Sequence, residues 1–437
     1  MTEAQLTSVE VREIWPLLSE AERIEAFRQI DRSDADDLFL SLGAADQAAI
    51  ILALTNGERR LWMRLLAPDD AADVLQEVAP EERSLLLDLL DGPTRVEVTA
   101  LMAYAEDAAG GLMSPRFARL RPEMSVGEAI RYLQRQAKEA LETIYYAYVL
   151  DQEQHLKGVV SFRDLFAAPG EKSLSEVMHA DVISVADSTD QEVVAKIIST
   201  HGFSALPVVD PAGKMIGIVT IDDIVDVVRE AATEDIHKLG GMEALDTPYL
   251  QTSMLSMIKK RAGWLSALFI GEMLTASAMG HYESEIEKAV ILALFVPLII
   301  SSGGNSGSQA TTLIIRAMAL GEVAVKDWWR IVRRELSAGF ALGMILAAIG
   351  LVRILAWQSF FGTYGAHYLE VAFTVAASLV GVVTWGTLAG SMLPFVIRRL
   401  GFDPASASAP FVATLVDVSG LMIYFNVAQV ILRGTLL

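Results

Sequence analysis

Five apolar stretches follow one another after Lys260, and they constrain this chain more than any other feature. They run Ala262 to Gly280, Ala289 to Ser302 continued through Ala310 to Ala319, Ala338 to Trp357, Val371 to Ile397, and Ala405 to Leu432. A hydrocarbon core about 30 Å thick takes roughly 20 helical residues to cross, so each stretch is long enough to span it. A single one could be a buried globular helix. Five in succession with few charges read as an all-α five-helix transmembrane domain over residues 262–437.

Charge divides the chain at the same place. Residues 1–260 hold 45 Asp and Glu against 24 Lys and Arg, and residues 261–437 hold 10 against 11, so the net charge of -20 is -21 on one part and +1 on the other. The first part is expected to be water-soluble. Its surplus self-repels and attracts cations, and it excludes nucleic acid as a partner. There is no cysteine, which excludes disulfides and thiolate metal sites. The start lacks a basic stretch followed by an apolar one, so no cleavable signal peptide is expected.

Basic residues set the orientation. Lys259, Lys260 and Arg261 precede the first stretch, Arg316, Lys326, Arg330, Arg333 and Arg334 lie between the second and third, and Arg398 and Arg399 follow the fourth. The opposite loops, His281 to Lys288 and Gln358 to Glu370, contain only Lys288. The positive-inside rule then predicts a multi-pass cell-membrane protein with its acidic part in the cytosol and its C-terminus outside.

Ionisable groups inside the stretches are informative, because a charge near the bilayer centre costs roughly 2.5 to 3.5 kcal/mol. Asp417 lies mid-span among small and apolar residues, with no basic residue closer in sequence than Arg433. Such a carboxylate needs a mobile cation, a proton or a partner helix. Glu272 in the first stretch is a second candidate, for which packing or helix-to-helix hydrogen bonding is the alternative. Within the second stretch, Pro297-Leu-Ile-Ile-Ser-Ser-Gly-Gly-Asn-Ser-Gly-Ser-Gln309 permits a local break or a close helix contact, Gly303 and Gly307 forming a G-x-x-x-G spacing. Its density of Ser, Asn and Gln favours a pore lining or gate, with Gly303, Gly304, Asn305, Gly307 and Gln309 as candidates.

The soluble part contains a duplication. Tyr146-Ala-Tyr-Val-Leu-Asp151 aligns with Ala205-Leu-Pro-Val-Val-Asp210, and Gly158-Val-Val-Ser-Phe-Arg-Asp164 with Gly217-Ile-Val-Thr-Ile-Asp-Asp223, both at an offset of 59 residues. Each copy reads strand, turn, strand, then a helix entered at Ser161 or Thr220, with an amphipathic helix upstream (Val126 to Ala137, Gln191 to Thr200). Segments at Met113 and Met178 precede those helices. The pair resembles tandem CBS domains, α/β modules here at about 109–170 and 171–232. The hydroxyl and dipole at a helix N-terminus suit phosphate, and the following Asp suits a ribose. ATP or a related nucleotide is the candidate ligand, with Tyr146, Ser161, Arg163 and Asp164 of the first copy as contacts; a dimerisation module is the alternative.

Residues 1–108 read as an all-helical superhelical domain. Short amphipathic helices are expected over Asp34 to Leu42, Ala44 to Ala53, Gly57 to Leu66, Asp69 to Val78 and Pro80 to Leu90, with Ser33-Asp-Ala-Asp and Pro80-Glu-Glu-Arg as starts. Its acidic residues are individually a solvated face; as a group they could form a sensor.

Three tracts carry a sharper likeness: Ala232-Thr-Glu-Asp-Ile-His-Lys-Leu-Gly240, Gly303-Gly-Asn-Ser-Gly-Ser-Gln-Ala-Thr-Thr-Leu-Ile-Ile-Arg316 and Ala413-Thr-Leu-Val-Asp-Val-Ser-Gly-Leu-Met-Ile-Tyr424. Together with the order of parts they resemble the MgtE family of magnesium channels and transporters. The resemblance implies a homodimer in membrane lipid, a pore between two membrane domains, and a connecting plug helix in 233–261, drawn at Glu243 to Arg261. It implies that Asp417 is the pore carboxylate and that the Ala413 carbonyl faces the ion. It also implies that Glu234, Asp235 and Asp246 help hold regulatory Mg²⁺. Mg²⁺ dehydrates reluctantly, so recognition of the hydrated ion by a few carboxylates and carbonyls is sensible.

The expected function is Mg²⁺ uptake, closed by cytosolic Mg²⁺ at acidic interfaces and modulated by ATP. No metalloprotease, nucleophile-elbow or P-loop motif is present, so an enzyme is not expected. A proton- or sodium-coupled secondary transporter of Co²⁺, Ni²⁺ or Mn²⁺ is the alternative. A receptor-like sensor, with Asp417 holding helices together, is a third.

Overall fold

In the computed structural model, residues 7–436 are described except 137–140, 142, 144, 246 and 251. The chain divides into two compact units, Met1–Ala231 and Ala232–Leu437.

The first unit begins with short helices, among them Glu20–Gln29, Arg32–Leu40, Ala44–Ala53, Asn56–Met63, Pro68–Gln76, Pro80–Leu87 and Gly92–Leu101. Their starts are written in local chemistry. Thr7, Ser19 and Thr55 each form a capping box with a Glu three residues on, and Pro occupies the first turn at Pro68, Pro80 and Pro93. The helix expected to start at Ser33 is capped instead by Asp31. Phe27, Phe39 and Trp62 meet at ring-centroid distances of 4.8 to 6.1 Å and anchor the core of these helices.

The duplication folds as two three-stranded sheets. In one, β1 (Arg119–Leu120) pairs parallel with β2 (Tyr146–Leu150), which pairs antiparallel with β3 (Leu156–Ser161). In the other, β4 (Val185–Ala186), β5 (Ala205–Val209) and β6 (Met215–Thr220) repeat that arrangement, with the register irregularity at the equivalent place. Each hairpin receives the methionine segment that precedes the other one. Met178 packs on Gly158, and Met113 packs on Gly217, so closely that a Cβ on either glycine would meet the sulfur at 2.6 to 2.7 Å.

Five helices of the second unit are long and apolar enough to cross a membrane, as the sequence predicts: Met254–His281, Val296–Ala319, Trp328–Phe361, Tyr368–Arg399 and Ala409–Leu432. They are called the first to fifth spans below. One alternative is settled and one expectation is corrected. The Gly-rich tract does not take the local break it permits, since the second span is helical throughout; the irregularity falls earlier, where Glu283–Lys288 and Val290–Ala293 form separate short helices. The expected plug helix over Glu243 to Arg261 is not one element either. The helix Ile221–Leu239 stops at Gly240 and Gly241, the latter at φ 72°, and the next helix starts only after Ser253 caps it. Lys259, Lys260 and Arg261 therefore belong to the first span. Glycine at a positive φ ends one helix and Pro248 discourages another within the segment.

Candidate functional site

The fourth span organises the membrane unit. Gly303 and Gly307 of the second span face Gly386 and Gly390 of the fourth, where a Cβ on Gly386 or Gly390 would collide with the opposite carbonyl. Closeness lets hydroxyls satisfy backbone across the contact: Ser306 and Thr387 are 2.6 Å apart, and Thr311 donates to the Gly390 carbonyl at 2.8 Å. Gly303 and Gly307 are thus helix contacts rather than pore lining. Every third or fourth residue on the opposite face of the second span, Ser301, Asn305, Gln309 and Thr312, is exposed. A polar stripe along a membrane helix is stable only against protein or water.

Asp417 stands beside this stripe. Gly304 touches the fifth span at Ala413, and a Cβ built on Gly304 would lie 3.5 Å from Ala413 and 3.7 Å from Asp417 Oδ1. Ala413 and Asp417 are one turn apart on the same face of the fifth span. Among the described residues nothing donates to the Asp417 carboxylate, and the charged group that acts on it is Glu272 of the first span. The local geometry is therefore an uncompensated negative site between Gly304, Ala413 and the first span, bordered by Ser, Asn and Gln.

At the start of the second unit, Lys238 Nζ lies 2.5 Å from Glu234 and 2.6 Å from Asp403. Asp235 is half-buried; burial pushes its carboxyl up, and the nearby Asp403 pushes further. Glu234 and Asp235 are thus joined by Asp403, a residue 165 positions from Lys238 that the sequence does not associate with them. Asp246 lies outside the described residues.

In the first unit the acidic surplus is concentrated. The bulk of protein around Asp73 pushes its carboxyl up to about 7 although the side chain itself is exposed, helped by Asp70, Glu106 and Glu77, and Asp70, also exposed, is raised in the same way and by Asp222. Residues so far apart in sequence do not announce this meeting.

At the first repeat, Tyr146 and Ser161 are cross-strand partners. Ser161 Oγ donates to Asp164 Oδ2 at 2.6 Å and accepts from the Asp164 amide at 3.1 Å. The Asp164 carboxyl lies below its usual range, chiefly through the Ser161 hydroxyl, and His179 Nε2 is 3.4 Å from it. Arg163 is exposed. Ser161 thus forms a capping box with Asp164, and Thr220 repeats the hydroxyl bond to Asp223 at 2.7 Å in the second copy. His179 was not singled out from sequence, although it follows Met178.

Comparison with known proteins adds family descriptions over nearly the whole chain. Residues 296–427 match the MgtE divalent cation transporter family, residues 6–107 the MgtE intracellular N domain, and residues 109–171 and 174–230 the CBS domain. The chain is 41% identical over 424 residues to magnesium transporter MgtE of Thermus thermophilus, covering 96% of this chain and 92% of that protein. It belongs to the MgtE family. Other relatives in the family are magnesium transporters MgtE of Enterococcus faecalis, 36% identical over 77% of this chain and 72% of that one, and of Bacillus subtilis, 29% identical over 96% and 91%. A solved structure of the cytosolic domain of the Mg²⁺ channel MgtE in complex with ATP aligns with 51% of this chain and 91% of its own, at 39% identity and a TM-score of 0.48.

Proposed function

We propose that this protein is a magnesium-selective channel of the cell membrane, working as a homodimer with its acidic unit in the cytosol and its C-terminus outside. The observation that carries this reading is Asp417, an uncompensated carboxylate at mid-span beside Ala413 and the exposed polar stripe of the second span. Two copies facing each other across a dimer axis would form a ring of carboxylates and carbonyls around an ion that keeps much of its water. Asn305 and Gln309 then line the path, while Gly303, Gly304 and Gly307 let the helices approach.

Regulation in this proposal uses charge that protein groups leave unbalanced. Cytosolic Mg²⁺ bridges crowded carboxylates, Asp70 and Asp73 in one unit and Glu234, Asp235 and Asp403 in the other, with Asp246 a further ligand, and this favours the closed state. Such control requires tighter ion binding to the closed state than to the open one. Tyr146, Ser161, Arg163 and Asp164 hold ATP or a related nucleotide that adjusts the set point. Mg²⁺ is cargo and regulator; no catalytic role is assigned.

The test is Mg²⁺ flux into liposomes containing the full-length chain, with internal Mg²⁺ varied. Wild-type flux should fall as internal Mg²⁺ rises, and Asp417→Asn should lower it at least about a hundredfold while the dimer elutes normally, as loss of an intramembrane functional charge predicts. Flux that survives Asp417→Asn unchanged, or that follows an imposed proton or sodium gradient, would sink the channel reading.

A further inference from the structure

The first span and the Tyr282 to Glu285 segment that follows it run beside the fifth span in step. Trp264 Nε1 donates to Ser408 Oγ at 3.2 Å, Gly271 abuts Thr414, Asn426 Nδ2 donates to the Tyr282 hydroxyl at 3.2 Å, and Gln429 Nε2 donates to Glu285 at 3.0 Å. The hydrogen-bonded pairs are each 144 residues apart, and Gly271 and Thr414 are 143 apart. An offset that holds to within one residue means parallel segments with little slippage. Glu272 is then level with Leu415 and Val416, roughly 2 to 3 Å along the axis from Asp417 at a helical rise of about 1.5 Å per residue.

Three further observations converge there. The Glu272 residue is exposed on the unit's surface, in a groove of about 640 Å³ that it lines with Ser266, Thr414 and apolar side chains. Among the described residues no group donates to it; the nearest basic residues along the two helices are Arg261 and Arg433. One turn beyond Gly271 on the face toward the fifth span, Thr275 is only 7% exposed, yet its Oγ1 has no hydrogen-bond partner. A buried hydroxyl without a partner costs about 1 to 3 kcal/mol, so it marks a place prepared for another polar group.

We propose that Glu272 is a second cation-binding carboxylate of the membrane unit, set at the depth of Asp417 so that the pair takes one hydrated divalent cation. This rests on the reading of Asp417 as the pore carboxylate and deepens it. The charge argument selects the ligand class. Two carboxylates at mid-membrane without a basic neighbour carry two negative charges, which one divalent ion neutralises and one proton does not. The groove leaves room for an ion that retains its waters, with the Ser266 hydroxyl on its wall. Two adjacent sites of moderate strength also suit conduction, since an ion must both enter and leave.

The experiment measures Mg²⁺ flux against external Mg²⁺ for full-length Glu272→Gln, Glu272→Asp and, separately, Asp417→Asn in liposomes. Glu272→Gln should raise the half-saturating Mg²⁺ concentration about tenfold, as expected for removing one of two charges from a low-dielectric site. Glu272→Asp, which keeps the charge, should recover most of that shift. A wild-type half-saturation in Glu272→Gln overturns the inference. So does complete loss of flux in both Glu272 variants, which would make the residue a packing element. Wild-type flux in Asp417→Asn would instead overturn the pore reading itself, so the two failures are distinguishable.

Discussion

In the first unit, Glu10, Glu22, Glu58, Glu128 and Glu176 each accept the backbone amide and hydroxyl of a Ser or Thr three residues earlier, and these bonds hold their carboxyls below the usual range. In the second unit, Asp417 and Glu272 accept no such bond among the described residues, while neighbouring hydroxyls such as Ser306, Thr311 and Thr387 are fully engaged across close helix contacts. The difference teaches that a count of acidic residues says little about function. These five carboxylates serve as helix caps. The proposed roles fall instead on carboxylates that the fold brings together: Asp70 and Asp73 in one unit, Asp417 and Glu272 in the other.

The comparison breaks most severely where compensation in the membrane unit depends on backbone approach. Gly390→Val would drive a side chain into the second span and remove the seat of the Thr311 bond; overpacking of this kind costs about 1 to 3 kcal/mol or more. The expected outcome is a large loss of folded protein, measured by fluorescence-detected size exclusion. A Gly390→Val protein with normal yield and melting temperature would show that the contact is not needed.

Asp73 sharpens the comparison in the acidic unit. A carboxylate held at about 7 when folded binds its proton more tightly than the unfolded chain does, whose value is near 4. In chelator, that contribution therefore favours folding at low pH and is lost as pH rises from about 4 through about 7. Solvent at this exposed residue screens the effect, so a modest slope is expected. Asp73→Asn should flatten the slope of thermal stability against pH, and millimolar Mg²⁺ should flatten it in the unmodified protein. An identical slope in all three cases would remove Asp73 from the sensor.

The smallest effect is expected at Ser161→Ala, which deletes one side of a capping box and should cost about 1 kcal/mol. Thr220→Ala is its control in the other repeat. Equal melting shifts in the two, with ATP binding weakened in Ser161→Ala alone, would separate the capping task from the ligand task; equal loss of ATP binding would argue against a preferred first site.

Much of this architecture was legible from local patterns. The length of the five apolar stretches, the offset of 59 residues between the hairpins, and the Ser, Thr and Pro signals before helices depend on neighbours in sequence, and the structure carries them except at Ser33, where the helix starts earlier with Asp31 at its N-cap position. The solitary Asp417 was legible for the same reason: nothing near it could balance its charge. Whether the Gly-rich tract forms a break or a close contact is not legible locally, because glycine permits both and only the partner helix decides which. The stretch Glu243 to Arg261 is not one helix because Pro248 and the cap at Ser253 delay the helix start to Met254, which a likeness to a plug helix does not show.

By itself, the sequence determined which segments enter the membrane, how the soluble part is duplicated and where charge is scarce or abundant, because burial, periodicity and charge are properties of short stretches. Only the tertiary structure decided which charges meet. Lys238 with Asp403, Asp73 with Glu106, and Glu272 at the level of Asp417 are pairings over long loops, set by the packing of whole helices rather than by any local preference. Electrostatic interaction depends on separation in space, and chain separation carries no information about that until the helices are packed.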